Sequence, residues 1–306
     1  MKPLIIYHKN CADGFGAAWA AWVRFNDKAE YLAMNYNDPR VLLSPESELS
    51  FPAELKDRDV YILDFSFKPE IMAAMLDQAK RVTWLDHHKT AFEDRGLDPN
   101  ELYVDHVLNG YTVLDPNKSG CVLAWEYFQQ GHPVPEGLLL IQDRDLWRWK
   151  LSATRDFATA LRSKPFEFES FNRDMWDPKA LIDSGRAMNK LFDQQLADIT
   201  SRPMPVVLLG TEHLPNAHGL ATNCTPQFAS EAGNILAQQS GTFGATWCVG
   251  QDGKVAFSLR SIGDYDVSEL ARRYGGGGHQ NAAGFSVPFA NLEFMSVAKV
   301  LYVYSS

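Results

Sequence analysis

Short apolar segments typical of β-strands alternate with helix-like segments through the first half of the chain. The strand candidates are PLIIYH, DVYILDFS and RVTWLDHH, and the helix candidates include DGFGAAWAAWVRF, KPEIMAAMLDQA and SGCVLAWEYFQQG. Strands that alternate with helices of this length form βαβ units, in which the strands are parallel. The sequence therefore predicts an α/β domain with a parallel sheet and flanking helices.

The rest of the chain predicts a smaller domain of mixed α/β structure. A helix-like segment, RAMNKLFDQQLADITSR, is followed by PMP at 203–205 and then by the strand-like segments VVLLG, GATWCVGQDGKVAFSLRS and AAGFSV. The middle segment predicts a hairpin that turns at Asp252-Gly253. Because 306 residues favour two domains, we expect a first domain over 1–185, a linker helix over 186–204 and a second domain over 205–306.

The overall composition limits the classes of protein to consider. Hydrophobic residues make up 45% and charged residues 22%, as in ordinary globular proteins. A net charge of −9 disfavours broad binding to long nucleic acid. No apolar run reaches the roughly 18 residues of a membrane helix, so no membrane partner is expected. Four scattered cysteines without a Cys-x-x-Cys pair fit a reducing, cytoplasmic location.

Metal-competent side chains occur where the predicted strands end. His8, Asp64 and the triplet Asp86–His88 follow three separate strands. Because ligands of open α/β sheets bind beyond the carboxyl ends of the strands, these residues are expected at one edge. Asp13 and Asp143, the latter in the apolar segment EGLLLIQDRDLW, complete the candidate set. Carboxylates combined with imidazoles suit Mn²⁺, Mg²⁺, Zn²⁺ or Fe²⁺.

Each candidate also has a structural explanation when it is taken alone. His8 is compatible with a turn residue, Asp64 with the cap of the next helix, and Asp143 with a surface charge cluster beside Arg144. Their joint occurrence favours a metal centre.

A second signal is the glycine-rich segment YGGGGHQNAAGF at 274–285. Consecutive glycines let the main chain approach a ligand and expose N–H groups that bind anions, although a flexible hairpin tip has the same composition. The arginine in FSLRS could pair with a phosphate or lie on the surface. The candidate phosphate-binding residues are Arg260, Gly276, Gly277, Gly278 and His279.

Taken in order, these motifs resemble the DHH phosphoesterase superfamily, in the branch with a C-terminal DHHA1 domain. HKNCADG resembles the first motif, VYILD the second, WLDHH the third, IQDRD the fourth and GGGGHQNAAGF the DHHA1 signature. The resemblance covers nearly the whole chain. Its members include oligoribonucleases, 3′-phosphoadenosine 5′-phosphate phosphatases, cyclic dinucleotide phosphodiesterases and RecJ-type exonucleases.

The resemblance implies a hydrolase with two Mn²⁺ ions and an active site between the two domains; Mg²⁺, Zn²⁺ and Fe²⁺ remain alternatives. It implies that His8 and Asp64 hold one metal and that Asp64 bridges to the other. It assigns His88 to the substrate phosphoryl group, and a homodimer is compatible with the family. The implied second metal set is Asp13, Asp64, His87 and Asp143, the implied catalytic set is Asp86, His87 and His88, and the implied phosphate-binding set is Arg260, the glycine loop and His279.

The first motif departs from the family pattern, because only two residues separate His8 from Cys11, which occupies the place of the first aspartate. A thiolate ligand would favour Zn²⁺ or Fe²⁺ over Mn²⁺. Alternatively, Cys11 is not a ligand, and the first metal is bound more weakly or with additional water.

The sequence thus predicts a metal-dependent phosphoesterase whose partner is a short oligonucleotide or a small phosphorylated nucleotide. Two other functions remain open: a phosphatase of polyphosphate or another non-nucleotide phosphate, and a catalytically inactive nucleic-acid-binding scaffold.

Overall fold

The structure is a computed structural model that describes residues 1–36, 38–45, 48–107, 109–210, 215–250, 252–295 and 300–304. Its internal contacts divide the chain into two units, residues 1–189 and 190–306. Within the described ranges, no helix is long and apolar enough to cross a membrane. All four cysteines are free.

The first unit follows the predicted alternation of strands and helices. Its elements are β1 (Leu4–His8), α1 (Ala12–Phe25), β2 (Glu30–Met34), β3 (Leu42–Leu43), β4 (Leu49–Ser50), β5 (Asp59–Leu63), α2 (Pro69–Gln78), β6 (Arg81–Asp86), α3 (Lys89–Glu93), β7 (Tyr103–Val107), β8 (Gly110–Leu114), α4 (Gly120–Phe128), α5 (Glu136–Asp145), α6 (Thr154–Leu161) and α7 (Phe168–Trp176). The main sheet has the order β2-β1-β5-β6-β8-β7. All neighbours are parallel except the edge pair β7 and β8. The predicted α/β class is therefore confirmed.

Alternate side chains of the central strands enter two separate cores. Ile5 and Leu85 pack into one cluster with α1, α4 and α5, whereas Ile6 and Trp84 pack into another with α2. Burial on both faces is typical of a parallel sheet covered by crossover helices.

The carboxyl ends of β1, β5 and β6 lie side by side. Tyr7 pairs with Leu63, and Leu63 pairs with Leu85. The next residues along the three strands are His8, Asp64 and Asp86, so parallel pairing brings them to the same sheet edge. The prediction that three strands deliver polar groups to one edge is confirmed.

Helix α8 (Lys179–Thr200) contains the division between the units. It begins before the predicted linker boundary at 186 and ends before 204. The second unit then contains β9 (Met204–Leu208), β10 (Ala217–Asn223), α9 (Ala229–Ser240), β11 (Phe243–Val249), β12 (Lys254–Ser261), α10 (Val267–Arg272), β13 (Gly277–His279), β14 (Ala282–Pro288), β15 (Leu292–Met295) and β16 (Val300–Val303). Its mixed sheet has the order β13-β14-β12-β11-β10-β9-β16-β15.

The glycine run forms an ordered edge of this second sheet. The N–H of Gly276 donates to the carbonyl of Ala271 as α10 ends, and Gly277 pairs with Gly284 across β13 and β14. A Cβ at Gly276 would collide with the carbonyl oxygen of Gly284, whereas a Cβ at Gly277 would meet no atom within 4 Å. Gly276 is therefore needed for close backbone packing, whereas Gly277 is not.

We expect Gly276→Ala to destabilise the second unit by about 1–3 kcal/mol, because the added methyl group collides with backbone. Gly277→Ala is the matched control and should change the free energy of unfolding by less than about 0.5 kcal/mol. Calorimetric unfolding of the two variants measures the difference. Equal stabilities would contradict the close packing of Gly276 against β14.

Candidate metal centre

Asp64 lies at the centre of the site, immediately after β5, with no exposed surface. Its backbone is in the left-handed region, with φ of 55°, a conformation that aspartate tolerates better than most residues. Gly120, the first residue of α4, packs against its side chain, and a Cβ at this position would collide with the carboxylate. The glycine is therefore required for α4 to approach Asp64.

The imidazole of His87 meets three carboxylates. Its Nε2 lies 3.1 Å from Oδ1 of Asp64, 3.5 Å from Oδ2 of Asp13 and 3.4 Å from Oδ2 of Asp145. Burial opposes a charge on His87, but these acidic groups prevail and raise its pKa to about 10. Burial and the neighbouring Asp13 raise the pKa of Asp64 well above its usual value.

Asp13 is anchored by the N-terminus of α4. The N–H groups of Gly120 and Cys121 donate to its two oxygens over 2.7 and 2.9 Å. Burial opposes ionisation of Asp13, yet His87 and these hydrogen bonds hold its pKa below the usual value. A carboxylate at this position also complements the positive end of the helix dipole.

Asp86 orients His88. Its Oδ1 accepts hydrogen bonds from the backbone N–H groups of His87 and His88 and lies 2.8 Å from Nδ1 of His88. Burial opposes protonation of His88, but Asp86 prevails and raises its pKa. The imidazole is therefore fixed through Nδ1, and its Nε2 is left for another partner.

His8 and Cys11 lie on the other side of Asp64. Nδ1 of His8 is 3.7 Å from Oδ2 of Asp64, and Sγ of Cys11 lies within 4.8 Å of a ligand atom of each of these two residues. Burial lowers the pKa of His8, which favours the neutral imidazole that metals bind. Burial and the neighbouring carboxylates raise the pKa of the Cys11 thiol to about 12.

The donor atoms of this cluster could hold metal ions. Among the described residues, Nδ1 of His8, Oδ2 of Asp64 and Oδ2 of Asp86 are buried without a hydrogen-bond partner. Such atoms are unfavourable unless something else satisfies them. The groups that could hold a metal are His8–Cys11–Asp64, Asp13–His87–Asp145 and Asp64–Asp86–His87–His88. Asp64 lies near both His8 and His87.

Asp145, rather than Asp143, reaches this centre. Both residues lie in α5, where the sequence indicated only an apolar segment. The carboxylate of Asp143 accepts hydrogen bonds from the backbone N–H groups of Lys150 and Leu151 and from the hydroxyl of Thr154. Asp143 thus bonds to the chain that follows α5, and the carboxylate of this helix that lies beside His87 is that of Asp145.

The segment held by Asp143 carries two exposed tryptophans. Trp147 and Trp149 both have left-handed backbones, with φ of 53° and 52°, and their ring centroids are 5.0 Å apart. Arg148, between them, donates through its side chain to the carbonyl of Asn117. The hydrogen bonds to Asp143 therefore stabilise the uncommon backbone conformation of Trp147 and Trp149, which follow Asp145 closely in the sequence.

Tyr36 is a neighbour of the site that sequence reasoning missed. Its ring centroid is 5.3 Å from that of His8 and 6.1 Å from that of His88. The residue follows β2, which pairs with β1 so that Met34 lies opposite His8. The strand-end argument applied to β2 would have found Tyr36, but β2 itself was not predicted.

The phosphate-binding candidates lie in the second unit. Arg260 pairs with Ala282, and Ala282 pairs with His279, so both side chains share one face of the sheet. The guanidinium of Arg260 donates to the hydroxyl of Ser230 at the start of α9 over 2.9 Å, and burial lowers its pKa. His279 is exposed.

The chain is similar to one domain family and to several known proteins. The DHHA1 domain family matches residues 219–298. The uncharacterized protein R106 of Acanthamoeba polyphaga mimivirus is 31% identical over 299 residues, covering 92% of this chain and 67% of the relative. The oligoribonuclease NrnB of Bacillus subtilis strain 168 is 23% identical over 299 residues, covering 92% and 72%. The solved structure of the pGpG-specific phosphodiesterase PggH from Vibrio cholerae is 15% identical, with a TM-score of 0.49 and 95% of each chain covered.

Fold and site define a two-unit α/β protein with carboxylates and imidazoles gathered at the carboxyl edge of a parallel sheet. The chain belongs to the DHH phosphoesterase superfamily, and its C-terminal part carries the DHHA1 domain.

We expect Asp145→Asn to weaken Mn²⁺ binding about tenfold or more, because it removes a charged donor beside His87. Asp143→Asn is the matched control in the same helix. It should lower stability by about 1–3 kcal/mol through its lost hydrogen bonds and leave Mn²⁺ affinity nearly unchanged. Calorimetric Mn²⁺ titration and thermal unfolding separate the two effects. A larger loss of Mn²⁺ affinity in Asp143→Asn than in Asp145→Asn would indicate that Asp143 is the ligand.

We expect Co²⁺-loaded protein to show the near-ultraviolet charge-transfer absorption of a thiolate–cobalt bond, because Sγ of Cys11 adjoins His8 and Asp64. The band should disappear in Cys11→Ser and persist in Cys248→Ser, a half-buried cysteine of the second unit. If the wild type lacks the band, a cation at His8 and Asp64 is bound without the thiol.

Proposed function

We propose that this protein is a metal-dependent phosphoesterase that hydrolyses short oligonucleotides or small nucleotides. The observation that carries the proposal is the position of Asp64, which lies between His8 and His87 with one buried oxygen lacking a partner. In a member of the DHH phosphoesterase superfamily, this arrangement is suited to two cations. Divalent cations bound there would lower the pKa of water and neutralise negative charge on a phosphoryl group.

The first proposed cation set is His8, Cys11 and Asp64, and the second is Asp13, Asp64, His87 and Asp145. Mn²⁺ suits the carboxylate-rich second set, whereas the thiol of Cys11 favours Zn²⁺ or Fe²⁺ in the first. We propose Mn²⁺ for at least the second set.

His88 is the proposed electrophilic group of the reaction. Because Asp86 fixes its Nδ1 and raises its pKa, the protonated imidazole can donate from Nε2 to a non-bridging phosphoryl oxygen. A donor that is already oriented stabilises the charge that develops on this oxygen without rearrangement. Asp86 acts by holding His88 and does not itself contact the substrate.

The choice of substrate is supported by one relative. NrnB is named an oligoribonuclease, and its sequence aligns with 92% of this chain. The net charge of −9 disfavours long polyanionic substrates, which bind through many basic contacts. In the second unit, we propose that Arg260 and His279, which share a sheet face, hold a phosphate of the substrate.

A hydrolysis panel tests the proposal. It comprises a 5′-labelled RNA dinucleotide and pentanucleotide, a nucleoside 3′,5′-bisphosphate, a cyclic dinucleotide and polyphosphate, each with Mn²⁺, Mg²⁺, Zn²⁺ or chelator. We expect metal-dependent release of mononucleotide or phosphate from a short nucleotide substrate. Chelation should abolish it.

Asp64→Asn is the decisive variant, since asparagine retains the size and the left-handed backbone preference of the native residue. It should lower kcat at least about a hundredfold through loss of several kcal/mol of stabilisation. Asp94→Asn, on an exposed residue after α3, is the control and should retain full activity. Hydrolysis of polyphosphate alone would indicate a non-nucleotide phosphatase. Nucleic-acid binding without any turnover would indicate a scaffold.

A further inference from the structure

A cavity of about 270 Å³ adjoins the metal centre within the first unit. It lies among the start of α1, the end of α5 and the helix α6. Cys11, Asp13 and Asp145 form part of its lining, and all three belong to the candidate metal groups. A molecule in this cavity would therefore lie next to the proposed reaction centre.

One wall of the cavity is apolar and rigid. It is formed by Phe157, Ala158 and Leu161 of α6. Phe166, which follows this helix, completes the wall. Phe157 has no exposed surface, so it supports this wall without offering a ring face to a ligand. The ring of Phe166 is partly exposed and stacks on that of Phe15 with centroids 5.1 Å apart. This contact fixes the ring of Phe166 in place before any ligand binds.

Two guanidinium groups and two carboxylates supply the polar lining. Arg144 and Arg162 both line the cavity, and Arg162, at the exposed end of α6, offers hydrogen-bond donors. Asp13 and Asp145 lie on the side that adjoins the metal centre. An apolar wall combined with a guanidinium group suits a ligand that has flat, apolar faces and hydrogen-bond acceptors at its edge.

We infer that this cavity binds one nucleobase of the substrate, placed against the apolar wall at Phe166 with its acceptor edge toward Arg162. Proteins bind unpaired bases in this way, by stacking on aromatic side chains and by hydrogen bonds to the base edge. Pockets for drug-sized ligands begin at about 300 Å³, so this cavity suits a base or nucleoside rather than a whole dinucleotide. The inference rests on the proposed function and adds a specificity site to it.

The test fills the cavity without touching a candidate metal ligand. Ala158→Leu places a larger side chain against the proposed base, and Ala187→Leu makes the same change on the exposed surface of α8 as a control. Turnover is measured for an RNA dinucleotide and for matched dinucleotides that lack the base at the first or the second position. Mn²⁺ titration of each variant reports whether the metal centre is intact.

We expect Ala158→Leu to lower kcat/KM for the intact dinucleotide at least about tenfold. The loss should be much smaller for the one analogue that lacks the base bound in the cavity, while Mn²⁺ affinity and the Ala187→Leu control stay at wild-type values. Equal losses for all three substrates, or none, would overturn the inference while leaving the phosphoesterase proposal in place.

If the wild type hydrolyses no substrate of the panel, the proposed function fails, and the cavity is tested by binding alone. Mn²⁺-loaded wild type and Ala158→Leu are then titrated with a nucleoside 5′-monophosphate and with ribose 5-phosphate. If the wild type binds the nucleotide more tightly than ribose 5-phosphate, and Ala158→Leu binds the two equally, the cavity binds the base. Equal affinity for the two ligands overturns it.

Discussion

The burial of Asp64 is the constraint on which the rest of the site depends. A carboxylate without exposed surface is unfavourable unless opposite charge or hydrogen bonds compensate for its lost hydration. His87 supplies part of this compensation at 3.1 Å, but Asp13 adds a second negative charge nearby, and Oδ2 of Asp64 has no partner. Protein groups alone therefore leave the cluster unbalanced, and divalent cations are the natural complement.

The surrounding elements serve to hold this unbalanced cluster together. α4 contributes its first two N–H groups to Asp13 and a glycine that makes room for Asp64. The left-handed backbone of Asp64 turns the chain at the sheet edge. Strain and burial of this kind are tolerated at functional sites because neighbouring packing enforces them.

The parts of the fold predicted from the sequence are those with long, regular signals. β1, β5 and β6 are apolar strands that end in polar residues, and their parallel pairing follows from the helices between them, so the meeting of His8, Asp64 and Asp86 could be anticipated. Short elements could not be predicted. The segment EYLAM of β2 is too brief to be distinguished from a loop by its pattern. The position of Tyr36 beside His8, which depends on β2, was therefore not predicted either.

The different surroundings of Asp143 and Asp145 have a geometric cause. The apolar segment that contains them is compatible with a strand or a buried helix by pattern alone. The structure makes it the helix α5, in which residues two positions apart project in nearly opposite directions. Only one of the two aspartates can then face His87, and this is Asp145. The carboxylate of Asp143 instead accepts hydrogen bonds from the backbone N–H groups of Lys150 and Leu151.

The site is assembled from segments that are distant in the chain, and this has a consequence for folding. His8, Asp64 and His87 require three paired strands, and Asp145 requires α5 to dock afterwards in chain order. Non-local contacts of this kind form slowly, because long loops must close first. In a chain emerging from the ribosome, the acidic cluster would come together only after α5 had been synthesised. A cation that binds only the finished cluster would then shift the population toward the native fold by mass action, so metal supply would also govern how much of the newly made chain stays folded.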